Sequence, residues 1–201
     1  MAFIFALSHG LFSSAGVDRG TALLLKVLSR AWDEDQAAGR PPPRHILDAG
    51  CGAGIIGVCA ARALAERRGG PAPVFHVRAQ DRDELAALFT AHNARRNGIS
   101  PETLSVHTEP LLAGPPGTRW DLILSNIPAK AGRPVLEDFV PRSLGLLGPG
   151  GRVLLVAVNT LAAFFHALIA GAGGLLLREA AGSSHTVFVY GNAPVNGAAG
   201  G

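Results

Sequence analysis

Short apolar runs recur along the chain, each closed by a polar or glycine-rich stretch. Between them lie segments with apolar residues at helical spacing. The runs predict strands over 45–49, 74–79, 104–107, 120–125 and 152–158. The amphipathic stretches predict helices over 21–30, 54–67, 83–97, 134–147 and 161–170. Breakers mark the joints: Gly69-Gly70-Pro71, Asn97-Gly98, the loop 113–118, and a tight turn at Gly148-Pro149-Gly150-Gly151. The run 152–158 is almost wholly apolar, as a strand covered on both faces should be. Strands alternating with helices predict a parallel α/β sheet with right-handed crossovers. Two last strands, 174–179 and 185–190, have only a short turn between them and predict an antiparallel hairpin at one edge.

The organisation follows from these boundaries. Residues 1–32 read as an arm, a small-residue segment and a helix capped by Asp18. The segment 10–20 is either a plain loop or a lid over a ligand. Residues 33–44, charged and then Pro-rich, read as a linker. Residues 45–191 form the main domain, and 192–201, rich in Gly and Ala, form a flexible tail.

Composition narrows the class. The chain has 201 residues, 48% hydrophobic and 16% charged, which fits one globular domain and excludes a mostly disordered one. Its net charge is +3, and Lys26 and Lys130 are its only lysines. Arginine binds phosphate in bidentate fashion, so a nucleic-acid substrate is permitted. Cys51 and Cys59 have no metal spacing and indicate no disulfide framework. The apolar start, Met1 to Leu7, lacks a positive leader and is too short to span a bilayer. It reads as a short strand or packing arm of a cytoplasmic protein.

The candidate chemistry starts at His45-Ile46-Leu47-Asp48-Ala49-Gly50-Cys51-Gly52-Ala53-Gly54-Ile55-Ile56-Gly57. A buried strand ends in Asp48, glycines follow at alternate positions, and a helix begins at once. Such a turn brings bare backbone and free helical N–H groups to a ligand. Gly52 to Gly57 also fits the dinucleotide fingerprint G-x-G-x-x-G. A carboxylate at Asp48 would repel a pyrophosphate and suits a ligand carrying an ammonium group. A phosphate-binding loop is further excluded by the missing Gly-Lys-Ser/Thr.

Asp81 lies 27 residues beyond Gly54, at the end of the second strand, with Arg82 beside it. Carboxyl ends of adjacent strands share one crevice, so Asp81 can accept hydrogen bonds from both ribose hydroxyls, with Gln80 lining the same crevice. A helix N-cap is the plain alternative for Asp81. Glu109 and Pro110 follow the third strand, where an adenine would sit.

Asp48-x-Gly50-x-Gly52-x-Gly54 resembles the first motif of class I S-adenosylmethionine-dependent methyltransferases. Phe12-Ser13 with Gly16-Val17-Asp18-x-Gly20-x-x-Leu23-Leu24-Leu25, then Asp81, Asn93, Asn97-Gly98 and Ser125-Asn126-x-Pro128, are similar to the "methyltransferase small" domain. That domain occurs in bacterial ribosomal RNA guanine-N2 methyltransferases. The resemblance implies a Rossmann-like methyltransferase fold: seven strands in the order 3-2-1-4-5-7-6, mostly parallel, with the last strand antiparallel. It implies S-adenosyl-L-methionine as cofactor, bound by Asp48, Gly50, Cys51, Gly52, Gly54, Asp81, Arg82, Glu109, Pro110 and Asn126, with no metal. It places the catalytic loop at Asn126, Ile127 and Pro128, where the Asn126 oxygen and a backbone carbonyl hold a target amine. Phe12 and Lys130 are the candidate substrate-binding residues.

One departure bears on the acceptor. The family's loop is Asn-Pro-Pro-Phe/Tyr, whereas this chain has Asn126-Ile127-Pro128-Ala129. Ala129 cannot stack on a planar substrate. A guanine acceptor therefore does not follow from this loop; the glycine loop, Asp81 and Asn126 in this order give methyl transfer to an RNA base nitrogen as the expected function. Transfer to a small molecule or protein side chain, a non-catalytic cofactor-binding module, and an NAD-dependent oxidoreductase are the rivals. An RNA reading carries a further expectation: a homodimer, or an RNA-docking partner.

Overall fold

The computed structural model describes residues 3–7, 17–68 and 75–193. Helix α1 (Arg19–Ala37) comes first, capped by Asp18, whose carboxylate accepts from the N–H groups of Gly20 and Thr21. Then strands and helices alternate: β1 (His45–Ala49), α2 (Ile55–Arg68), β2 (His76–Asp81), α3 (Glu84–Arg96), β3 (Leu104–Thr108), β4 (Trp120–Asn126), α4 (Arg133–Leu146), β5 (Leu147–Val158) and α5 (Ala162–Gly171). A hairpin of β6 (Gly174–Ala181) and β7 (His185–Asn192) closes the chain.

The sheet has seven strands in the order β3-β2-β1-β4-β5-β7-β6. Neighbours from β3 to β5 are parallel, and β7 runs antiparallel to both β5 and β6. This is the expected seven-stranded order, with the last strand reversed.

Alternation along each strand sends successive side chains to opposite faces. Ile46, Val77, Leu122, Leu154 and Val187 pack against Leu24, Leu28 and Trp32 of α1 and Ile56 and Leu64 of α2. Leu47, Ile123, Val153, Leu155 and Phe188 pack against Phe139 and Val140 of α4 and Phe165 and Ile169 of α5. The two cores sandwich the sheet and leave the carboxyl ends of β1, β2 and β4 to form a cleft.

Several boundaries differ from the expected ones. Helix α1 runs on through 33–37, so those residues are not linker. Asp35 is buried there, accepts from Arg40 Nε at 2.7 Å and pairs with Arg152 of β5. Strand β2 is shifted two residues later than 74–79, which makes Asp81 its last residue. Residues 148–151 belong to β5, which takes up their turn propensity as a register break opposite Trp120 and Leu122, with Gly150 at φ 71°. The arm 3–7 is not a strand; Asn93 of α3 and Asn97, the residue that caps its end, hold it. Asn97 exchanges hydrogen bonds with the backbone of Ile4, and Asn93 does the same with Ala6. Among the described residues, no helix is long and apolar enough to cross a membrane.

Candidate active site

The turn after β1 is held from below. The Gln80 carbonyl accepts from the N–H groups of Gly50 and Cys51, and Asp81 Oδ2 accepts from Gly52 N–H at 3.1 Å. Asn93 Nδ2 donates to the Ala53 carbonyl at 2.8 Å, and Thr90 Oγ1 donates to the Gly52 carbonyl at 2.9 Å. Asn93 thus ties the arm to the glycine turn. Gly52 lies at φ 55°, and a Cβ placed on it would meet nothing within 4 Å, so this backbone is bare toward the cleft.

The cleft itself has a volume of about 670 Å³. Gly50, Cys51, Gly52, Asp81, Arg82, Pro110, Asn126, Pro128 and Lys130 line it, so nine of the residues expected from sequence converge there. Leu111, Leu112, Val135 and Phe139 give it an apolar wall, and Asp18 and Thr21 of the α1 start stand beside Asn126. Such a wall takes a flat apolar ring, while Asp81 offers acceptor oxygens at its edge.

Other expected residues lie elsewhere. Asp48 is fully buried beneath the turn and does not line the cleft. Its Oδ2 accepts from Gly57 N–H at 2.8 Å, and its Oδ1 has no partner among the described residues. Burial pushes its pKa from 3.8 to about 7; the Gly57 N–H opposes this and the nearby charge of Asp81 adds to it. Desolvation and the Asp48 charge push the thiol of Cys59 up to about 12, and the Cys51 thiol is raised as well, so both stay neutral.

Gly54 also lies outside the lining, packed on Thr90. Glu109 is turned away into an ion pair with Arg78 at 2.8 Å, because it shares the sheet face on which Arg78 stands. The Ile127 side chain is core, and its N–H reaches the Val156 carbonyl at 3.3 Å, a bond that proline could not make. Phe12 lies outside the described residues.

Gln80 does not line the cleft either; it is fully buried. Its amide nitrogen, Nε2, donates to the carbonyls of Pro110, Leu111 and Ala113 at 2.7, 3.1 and 2.8 Å. No helix intervenes between β3 and β4 along the chain. One buried amide therefore pins the segment that carries Leu111 and Leu112. Gln80→Leu is expected to strand those carbonyls, costing about 2 kcal/mol of stability. It should also weaken cofactor-product binding about tenfold, as urea unfolding and calorimetry with S-adenosylhomocysteine would show.

Sequence reasoning missed three contributions. Asp18 was legible as a helix cap, but its contact with Asn126 spans 108 positions. The apolar wall on α4 looks like ordinary core in sequence. The Asn93 bridge was visible only as a matched motif residue.

A seven-stranded Rossmann-like sheet in this order, with a glycine turn after β1 and an acid at the end of β2, is the architecture of class I methyltransferases. The chain belongs to the methyltransferase small domain family, whose model matches residues 2–172. It is 34% identical over 169 residues to a ribosomal RNA small subunit methyltransferase C of Pseudomonas putida, covering 82% of this chain and 44% of that protein. It is 33% identical over 152 residues to a ribosomal protein L11 methyltransferase of Marinobacter nauticus, covering 76% of this chain and 43% of that one. The chain thus spans less than half the length of these curated relatives. A 16S rRNA N2 methyltransferase of T. thermophilus, solved with AdoMet and guanosine, shares the fold with a TM-score of 0.72 at 21% identity, covering 92% of this chain and 46% of that one. A ribosomal protein L11 methylase from Lactobacillus delbrueckii gives 0.70 at 21% identity, covering 92% and 82%.

Proposed function

We propose that the chain is an S-adenosylmethionine-dependent N-methyltransferase whose acceptor is an exocyclic amine of an RNA base. The observation that carries this reading is Asn126, set at the end of β4 in the wall of the same cleft as the glycine turn and Asp81. The cofactor supplies a methyl group on positively charged sulfur.

The residues present fit that cofactor. Gly50, Cys51 and the bare backbone of Gly52 would hold its amino-acid part, with the Asp48 charge behind the turn. Asp81 would hold the ribose, and Pro110, Leu111 and Arg82 would flank the adenine. Asn126 would accept a hydrogen bond from the target amine and aim its lone pair. The amine so held would keep its lone pair free for the methyl group the cofactor supplies, and its surplus proton would pass to water. Charge is dispersed in this step, so alignment does most of the catalytic work. Lys130 and Arg82 in the lining put cations where an RNA backbone could lie. Relatives named for rRNA methylation favour this acceptor.

Ala129 favours a second acceptor, a protein amine, because it offers no ring for a base to stack on, and other relatives are named for ribosomal protein methylation. Transfer of labelled methyl groups to ribosomes from cells lacking the chain, split into RNA and protein, decides. Label in RNA supports the first acceptor, and label in protein alone rejects it. Asn126→Ala should lower transfer at least about a hundredfold with S-adenosylhomocysteine affinity retained.

A further inference from the structure

We infer that Asp18, with Thr21, fixes the Asn126 amide so that only its carbonyl oxygen meets the acceptor, restricting the site to a nitrogen that carries hydrogen. This deepens the reading of Asn126 given above and rests on it.

The geometry leaves one orientation for that amide. Asn126 Nδ2 lies 3.2 and 3.1 Å from the two carboxylate oxygens of Asp18 and 3.0 Å from Thr21 Oγ1. Asp18 Oδ1 accepts from the N–H groups of Gly20 and Thr21 at 2.8 and 3.0 Å. The Thr21 hydroxyl spends its hydrogen on Asp18 Oδ2 at 2.6 Å, so toward Asn126 it too is an acceptor. All three neighbours of this nitrogen therefore accept. Flipping the amide would set its oxygen against three oxygens with no hydrogen between them. The nitrogen is committed to Asp18 and Thr21, and the oxygen is left for the acceptor.

That decides which acceptors can be held. A primary or secondary amine donates N–H to Oδ1 and keeps its lone pair for the methyl group. A ring nitrogen without hydrogen, a carboxylate or a phosphate oxygen would present a lone pair to that oxygen and be repelled. Asp18 acts through Asn126, so it is a positioning residue as well as the cap of α1.

Asp18→Asn tests this, because asparagine caps a helix about as well as aspartate while its own NH2 group can face Asn126 and release the flip. Two measurements apply. The side-chain NH2 resonances of Asn126, followed by ¹⁵N NMR with S-adenosylhomocysteine bound, need no acceptor. They should be slow to exchange in the native chain and should shift and exchange faster in Asp18→Asn. With whichever ribosomal fraction takes label, kcat should fall about ten- to a hundredfold, with KM for S-adenosylmethionine within about twofold. Asp18→Ser, also a good cap but too short to hold the amide, should behave the same way. Unchanged Asn126 resonances, or full kcat in both variants, overturn the inference. If Asn126→Ala itself keeps full activity, the reading of the site falls. If Asn126→Ala is inactive and Asp18→Asn is not, only the inference falls.

Discussion

Asp48→Asn is expected to flatten the pH dependence of unfolding. Asp48 titrates near 3.8 when unfolded and at about 7 in the fold. Between these values the folded chain holds a proton that the unfolded chain has lost. Stability therefore falls as pH rises through this window, and the whole penalty is present above about pH 7. The span corresponds to about 4 kcal/mol, of which about 2–3 kcal/mol falls between pH 5 and 8. Asparagine keeps the shape, can accept from Gly57 N–H, and carries no such titration. Urea unfolding of both proteins at pH 5 and pH 8 measures the difference, and parallel pH profiles would contradict it. The ammonium group of the cofactor's amino-acid part, arriving at the Gly50–Gly52 turn above Asp48, should favour ionised Asp48. Affinity for S-adenosylhomocysteine should then rise as pH passes 7 in the native chain and stay level in Asp48→Asn.

Gly54→Ala is expected to cost both stability and cofactor binding. Gly54 sits at φ 79°, where an L side chain is strained by about 1–2 kcal/mol. Its Cβ would also lie 3.0 Å from the Thr90 Cα and 2.8 Å from Thr90 Cγ2. Backbone cannot swing aside as a flexible side chain can, so the turn or α3 must move. The hydrogen bond from Thr90 Oγ1 to the Gly52 carbonyl would break with it. A combined loss of about 3 kcal/mol and a fall in S-adenosylhomocysteine affinity of more than about tenfold should follow. Thermal unfolding and calorimetry check the two effects. Gly52→Ala makes a useful contrast: it carries strain at φ 55° but meets nothing within 4 Å, so it should unfold less readily than Gly54→Ala.

Much of the fold was legible because it is written in local pattern. Strand β1 falls at 45–49 as expected, since an apolar run bounded by an exposed His45 and a glycine turn has little freedom. The hairpin at 174–192 was legible from the shortness of its turn. Errors gathered where long-range pairing overrode local preference. Asp35 looked like linker until Arg152, 117 positions away, gave its carboxylate a partner. Glycine and proline at 148–151 looked like a turn until β4 paired beside them.

At the site, residue types were readable and their directions were not. A lone Glu109 after a strand gives no sign of whether it faces a ligand or Arg78. The chain on its own determined which groups stand at the strand ends: bare backbone at 50–54, acids at 48 and 81, and an amide at 126. Periodicity and turn chemistry suffice for that, because both act over a few residues. Tertiary structure alone decided that Asp48 lies beneath the turn, that Gln80 pins the wall, and that Asp18 holds Asn126. Each depends on a contact between segments far apart in sequence, and burial and hydrogen-bond partners exist only once those segments meet.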